Sequence, residues 1–231
     1  MEDKIKLSSK KIKNERKLKK IFRIALLIFL FLFILLYLVI GIIYNSGNFS
    51  ITLDKNLYFS RGIIIYDDPN YKVYRAELSV ASPKTFTNIS GNWLPDNLYD
   101  STGGSHNGSE YLAYTFFVEN VGDEITSYWS ELFITDVIKK IDSAVRIRVY
   151  RNGQPVTYAK KTSDGKNEPD TIPFEEEKLV ARNKVDNFKP GDIDKYTIVI
   201  WVEGSDPECT DDILGGEFSV YMDFNSEYVE N

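Results

Sequence analysis

Tyr196-Thr197-Ile198-Val199-Ile200-Trp201-Val202 places bulky apolar side chains at odd and even positions alike. Successive side chains of a strand point to opposite faces, so a strand written this way is covered on both sides and belongs inside a sheet. Leu112-Ala113-Tyr114-Thr115-Phe116-Phe117-Val118 has the same character. Other runs alternate strictly. In Tyr74-Arg75-Ala76-Glu77-Leu78-Ser79-Val80 the odd positions are polar and the even ones largely apolar, and Val145-Arg146-Ile147-Arg148-Val149 turns both arginines away from an aliphatic face. Phe218-Ser219-Val220-Tyr221-Met222-Asp223-Phe224 repeats the period. Such alternation marks half-buried strands of antiparallel sheets. The two kinds of strand together predict a mainly β fold, an antiparallel β-sandwich or jelly roll with its core, Trp201 included, between the sheets.

Turn chemistry separates these runs. Asn120-Val121-Gly122-Asp123 and Lys189-Pro190-Gly191-Asp192 flank central strands, and Arg151-Asn152-Gly153-Gln154 follows the arginine strand. Asn-Gly supplies positive φ at both central positions of a type I′ turn, so a hairpin is predicted there. Between Ser127 and Ile141 the pattern serves two periods, and it is read as a strand to about Ile134 followed by a short helix from Asp136 to Ala144. Asp96 to Glu110 and Lys160 to Asp170, rich in Gly, Ser, Asn and Asp, are expected to be exposed loops.

Upstream of all strands, Ile24 to Tyr44 is free of charge and would make a helix of about 31 Å, the thickness of a bilayer's hydrocarbon core. Ten cations and three acids precede it, so the net charge of −6 divides into +7 before the run and −13 after it. The positive-inside tendency then predicts three parts: a cytoplasmic basic tail (1–23), a transmembrane helix (24–44) and an extracellular domain (45–231). The basic tail and the span are expected to contact membrane lipid, and because topology accounts for the cations, no nucleic acid is expected as a partner. A cleaved signal peptide would be shorter and end in a small-x-small site, which Tyr44-Asn45-Ser46-Gly47 lacks, so a retained single-pass anchor is expected. With Cys209 alone no intramolecular disulfide can form, and the domain must be stable without one.

Catalytic motifs are scarce. His106 is the only histidine, which excludes a His-Glu-x-x-His zinc helix, and no Gly-x-Ser-x-Gly elbow or phosphate-binding glycine loop is present. His106 reads as an exposed loop residue. Neither a catalytic residue nor a cofactor is assigned; only spatial separation could identify a carboxylate pair for glycoside hydrolysis. One loop is distinctive. Glu203, Asp206, Glu208, Asp211 and Asp212 offer several oxygen ligands within ten residues, as Ca²⁺ requires, though not at EF-hand spacing. Two readings stay open: a calcium site, or a solvated acidic turn in which Asp206-Pro207 bends the chain. Neighbouring acids would suppress the thiolate of Cys209, which reads as a packed, inert thiol.

The run from Asp194 through Trp201-Val202-Glu203-Gly204 and Asp206-Pro207-Glu208-Cys209 to Gly215-Gly216 carries a resemblance. Together with Tyr114-Thr115-Phe116, Glu119-Asn120-Val121-Gly122 and Ala144-Val145-Arg146-Ile147, it resembles a family of uncharacterised membrane-anchored surface proteins of Gram-positive bacteria. These are similar in layout to the TasA and camelysin group. The resemblance implies an extracellular jelly-roll domain, in TasA's case one that joins biofilm fibres by donating a strand. The lack of a recognisable metal motif separates this chain from the protease activity attributed to camelysin. The expected function is a non-enzymatic, membrane-anchored domain for protein interaction or self-assembly at the envelope. A subunit of a membrane complex or sensor, a TasA-like matrix fibre and a carboxylate-dependent hydrolase are the alternatives. Within the span only Tyr37 and Tyr44 are polar, as in a plain anchor.

Overall fold

The computed structural model describes residues 2–45, 49–80 and 87–226, and the disfavoured cleavage position around Ser46 to Asn48 lies outside them. The chain divides into two units, Met1–Ser46 and Gly47–Asn231. The first is one helix, α1 (Glu2–Asn45). Its segment Arg16–Leu38 is long and apolar enough to cross a membrane, with a mean hydropathy of 2.9 and none of it buried against protein.

The second unit is mainly β. In chain order it contains β1 (Phe49–Leu53), α2 (Lys55–Arg61), β2 (Ile63–Tyr66), β3 (Glu77–Val80), β4 (Gly104–Ser105), β5 (Tyr111–Asn120) and β6 (Thr126–Thr135). These are followed by β7 (Val145–Arg151), β8 (Gln154–Ala159), β9 (Ile172–Pro173), β10 (Leu179–Phe188), β11 (Ile193–Val202) and β12 (Ser219–Asn225). Two sheets result: a five-stranded one ordered β10-β6-β12-β1-β3, and a seven-stranded one ordered β2-β5-β11-β7-β8-β9 with β4 on β5. Most neighbours are antiparallel, as expected, but β1 lies parallel to β12 and β8 parallel to β9. The parallel pair joins the first and last strands of the unit, a match between distant segments.

One core takes side chains from both sheets. Phe116 and Tyr196 of the seven-stranded sheet stand 5.8 and 5.5 Å from the Phe224 ring of the five-stranded sheet, both edge to face, a favourable aromatic geometry. The alternation in β12 and β1 sends Val220, Met222, Phe224, Phe49, Ile51 and Leu53 into this core. The central strand β11 divides its side chains: Tyr196, Ile198, Ile200 and Val202 enter the core, while Val199 and Trp201 join a second apolar cluster on the sheet's other face. Leu94 and Leu98 from the segment ahead of β4 close that cluster over Ala113, Tyr150, Val199 and Trp201. Trp201 is thus buried, as expected, but beneath this covering segment rather than between the sheets.

Several local expectations change. No helix spans Asp136 to Ala144: Asp136, Lys139 and Lys140 have positive φ, and only Ile141–Ser143 forms a 3₁₀ turn. The Ile138 N–H donates to the Glu217 carbonyl, which ties the chain to the approach to β12 and prevents helical pairing. The helix that does form is α2, closed by Asp54, whose side chain accepts from the Asn56 N–H, and by Gly62 at φ 68°. Asp96 to Glu110 is not a purely exposed loop, because Leu98 is buried and His106 is half-buried between the carbonyls of Gly104 and Leu98. The Asn152-Gly153 hairpin forms as read, with φ of 50° and 80° and Arg151 paired to Gln154.

Candidate functional site

The Trp-x-Glu-Gly-x-Asp-Pro-x-Cys segment is a structural fastening. Glu203 follows β11, and its Oε2 accepts from Trp201 Nε1 at 3.0 Å and from the Gly91 N–H at 2.8 Å. Its Oε1 accepts from the Ser205 hydroxyl at 2.6 Å and the Ser205 N–H at 3.1 Å. Burial pushes the Glu203 carboxyl up, but the Ser205 and Trp201 hydrogen bonds outweigh it and leave the group below its ordinary range. A Cβ on Gly91 would lie 3.1 Å from both Glu203 Oε2 and the Trp201 ring, so glycine allows the covering segment to approach this closely. Gly204 completes the clasp by donating to the Ile89 carbonyl.

Asp206 points elsewhere. Its carboxylate meets Arg146 Nη2, which also pairs with Glu168 at 3.0 Å, and all three side chains are buried. The alternation turns Arg146 away from the aliphatic side of β7, and there the loops carrying Asp206 and Glu168 close over it. Burial, reinforced by the Asp206 charge, holds the Glu168 carboxyl above its ordinary value despite Arg146. One guanidinium therefore pins two loops to β7.

The five acids of the calcium reading do not converge, which leaves the reading of an acidic turn. Glu203 faces Trp201, Asp206 faces Arg146, and Glu208 Oε1 accepts from the Ser163 N–H at 2.5 Å. Asp211 and Asp212 are exposed on the 3₁₀ turn Asp211–Ile213. Among the described residues no group of three or more His, Cys, Asp or Glu is placed to hold a metal ion. The half-buried Cys209 packs on the core, its sulfur accepting from Asn88 Nδ2 at 3.3 Å.

A cleft of about 310 Å³ lies by the β7–β8 and β10–β11 turns, lined by Arg151, Asn152, Asp192 and Asp194 among others. The buried Asp194 carboxylate accepts from Tyr128, from Arg151 Nη2 at 2.8 Å and from Asn152 Nδ2 at 2.6 Å. These bonds tie both sheets to the hairpin and leave the carboxylate engaged.

The outward face of the five-stranded sheet is organised differently. Strand pairing aligns Arg182, Glu131, Asp223, Thr52 and Glu77 in one row across all five strands. A second row holds Lys184, Trp129 and Asn225, and a third holds Phe133, Tyr221, Ser50 and Ser79. Rows two residues apart are separated by about 6.8 Å, so Trp129 and Phe133 flank Glu131, while Asp223 has Tyr221 on one side and Asn225 on the other. Phe133 and Tyr221 stack with centroids 4.7 Å apart, and Lys184 Nζ lies 5.9 Å from the centre of the Trp129 ring. Arg182 Nε meets Glu131 at 2.5 Å, Asn225 Nδ2 donates to Glu131 at 3.1 Å, and the Thr52 hydroxyl donates to Asp223. Burial, with the Glu131 charge beside it, pushes the Asp223 carboxyl up to about 6. None of these residues was singled out in the sequence as a site. Their periodicity was visible, but the rows exist only through register.

No family model matches the sequence, and no curated protein matches it. Among solved structures the chain is similar to a β-glucosidase from Kluyveromyces marxianus in complex with glucose, at 12% identity and a TM-score of 0.25 over 73% of this chain and 15% of that one. The selenomethionine-labelled form of that β-glucosidase gives 13% identity and the same TM-score, over 73% of this chain and 16% of that one. The chain thus spans less than a fifth of the enzyme's length, and at this TM-score the likeness carries no argument about fold or activity.

Proposed function

We propose that this chain is a membrane-anchored, non-enzymatic surface domain that binds a partner at the cell envelope through the outward face of its five-stranded sheet. In this reading the two sheets form a sandwich of jelly-roll type, α1 is a retained anchor, the basic tail lies in the cytoplasm and the β unit lies outside. The observation that carries it is the row of carboxylates beside the stacked Phe133–Tyr221 pair and Trp129, an arrangement that combines apolar contact area with directed polar groups. The apolar helix and the change from +7 to −13 across it support the topology. The acids of the Trp-x-Glu-Gly motif serve the fold, which frees that segment from a catalytic role in the reading. Self-assembly by strand donation, as the TasA resemblance implies, would use an edge; the edge strand β10 carries Arg182, Lys184 and Asp186, charges that discourage edge pairing. The face is therefore the preferred surface.

Two measurements test the proposal. Protease added to intact protoplasts is expected to digest the region after Asn45 and spare the first twenty residues; protection of the β unit would refute the topology. A photo-cross-linking residue at position 133 is expected to capture an envelope protein in living cells, and the same residue at the exposed position 93 is not. Equal labelling from both positions would remove the sheet face as the binding surface.

A further inference from the structure

We propose that the outward face of the five-stranded sheet docks a basic protein segment, seating an arginine of the partner between the Trp129 row and the Phe133–Tyr221 row against Asp223. The inference deepens the preceding reading and rests on it. The central row sets three carboxylates, Glu131, Asp223 and Glu77, against Arg182; the buried Glu131 is taken by Arg182 and Asn225, which leaves Asp223 and the exposed Glu77 without a cationic partner among the described residues of the row. Asp223 receives a neutral hydroxyl from Thr52. The row therefore carries surplus negative charge at its middle, and the complement of that surplus is a cation. A guanidinium fits the surroundings better than an ammonium, because its planar fork donates in parallel to a carboxylate while its face stacks on an aromatic ring. Tyr221 stands about 6.8 Å from Asp223 along β12, and Trp129 and Phe133 stand as far to either side of Glu131 on the adjacent strand, within reach of such stacking. Lys184 beside Trp129 already displays the arrangement of a cation over a ring on this face. The −13 charge beyond the span would steer a basic partner toward the unit and speed its association.

The pH dependence follows from the groups around Asp223: Glu131 on β6, Arg182 on β10, Thr52 on β1, Glu77 on β3, and Tyr221 on its own strand. Asp223 titrates at about 6, so it gains its charge, and the site its full attraction, as pH rises through that value.

The test uses the full-length protein in neutral detergent micelles, titrated calorimetrically with penta-arginine and with penta-citrulline, its uncharged isostere. At neutral pH the arginine peptide is expected to bind at least about tenfold more tightly, a difference of about 1.4 kcal/mol. Asp223→Asn and Tyr221→Ala are each expected to remove most of that preference, and Asp211→Asn with Asp212→Asn to leave it intact. Below pH 6 the parent's preference is expected to shrink. Should Asp223→Asn fail to fold, Glu77→Gln at its exposed position is expected to weaken the arginine peptide several-fold. Equal binding of the two peptides overturns the proposal, as does an undiminished preference in Asp223→Asn or an equal loss in the Asp211/Asp212 variant, which would mark nonspecific attraction to an acidic protein. Displacement of the peptide by a glucosamine oligomer at equal charge would overturn it in favour of a glycan. Cross-linking from position 133 against position 93 reads the surface and protease digestion of protoplasts reads the topology, both independently of the peptides, so failure of the ligand class and failure of the surface reading remain distinct.

Discussion

Replacing Trp201 by alanine tests the three-layer arrangement of this unit. The ring is only 2% exposed and packs with Leu94, Leu98, Ala113, Tyr150 and Val199, so truncation empties a large aromatic site. Such truncations cost about 3–5 kcal/mol. Two further losses accompany it: the Nε1 donor to Glu203 and the contact with Arg148, whose guanidinium carbon lies 5.1 Å from the ring centre. Glu203 keeps its bonds from Gly91 and Ser205, so the lost donor adds little. In a domain of this size each kcal/mol moves the thermal midpoint by about 2–4 °C, and a fall of roughly 6–20 °C is expected. Thermal unfolding of the full-length protein in detergent measures it. Hydrogen exchange locates it: protection is expected to fall first around Ile89 to Leu98, the covering segment, and least in β6 and β12. Trp201→Phe, which keeps most of the ring and removes the donor, is expected to cost about 1 kcal/mol. An unchanged midpoint for Trp201→Ala, or a loss of protection concentrated in β6 and β12, would refute the placement of this side chain on the far face of the sheet.

Arg146→Ala leaves Asp206 and Glu168 buried against each other, and a loss of about 3–5 kcal/mol is expected in urea titrations at neutral pH. Because burial already raises Glu168, that loss is expected to lessen on mild acidification as the carboxyl takes up a proton; a loss independent of pH would contradict the buried ion triad. For Asp223 the folded state holds a proton to about 6, above the unfolded value, so this group's contribution falls as pH rises from about 4 through 6. The penalty at neutral pH is on the order of 1 kcal/mol after allowance for solvent screening, and Asp223→Asn is expected to remove it and flatten the stability difference over that interval. Millimolar CaCl₂ at constant ionic strength is expected to leave the thermal midpoint where chelator leaves it, since Glu203, Asp206 and Glu208 already have protein partners; a rise abolished by Asp211→Asn with Asp212→Asn would restore the calcium site.

The sequence alone determined those features whose cause is local. A helix long and apolar enough for a bilayer needs only consecutive residues, and so does a strand's period of two, which is why β5, β7, β11 and β12 were found close to their observed limits. The Asn152-Gly153 turn was legible because it depends on two backbone conformations that those residues adopt at low cost. Asp54 and Gly62 carry a similar local signal for α2. The tertiary structure decided everything that depends on pairing distant segments. Periodicity shows that Val199 and Trp201 share a face of β11, but not that a segment more than a hundred residues earlier covers that face. Five acids close together in one loop suggested convergence, whereas hydrogen bonding sent Glu203 to a tryptophan and Asp206 to a buried arginine. The row from Arg182 to Glu77 is likewise a product of register: its members come from strands separated by most of the chain, and a slip of one residue would turn the carboxylates into the core. Short-range composition states which groups are present, and only strand pairing brings them to a common face.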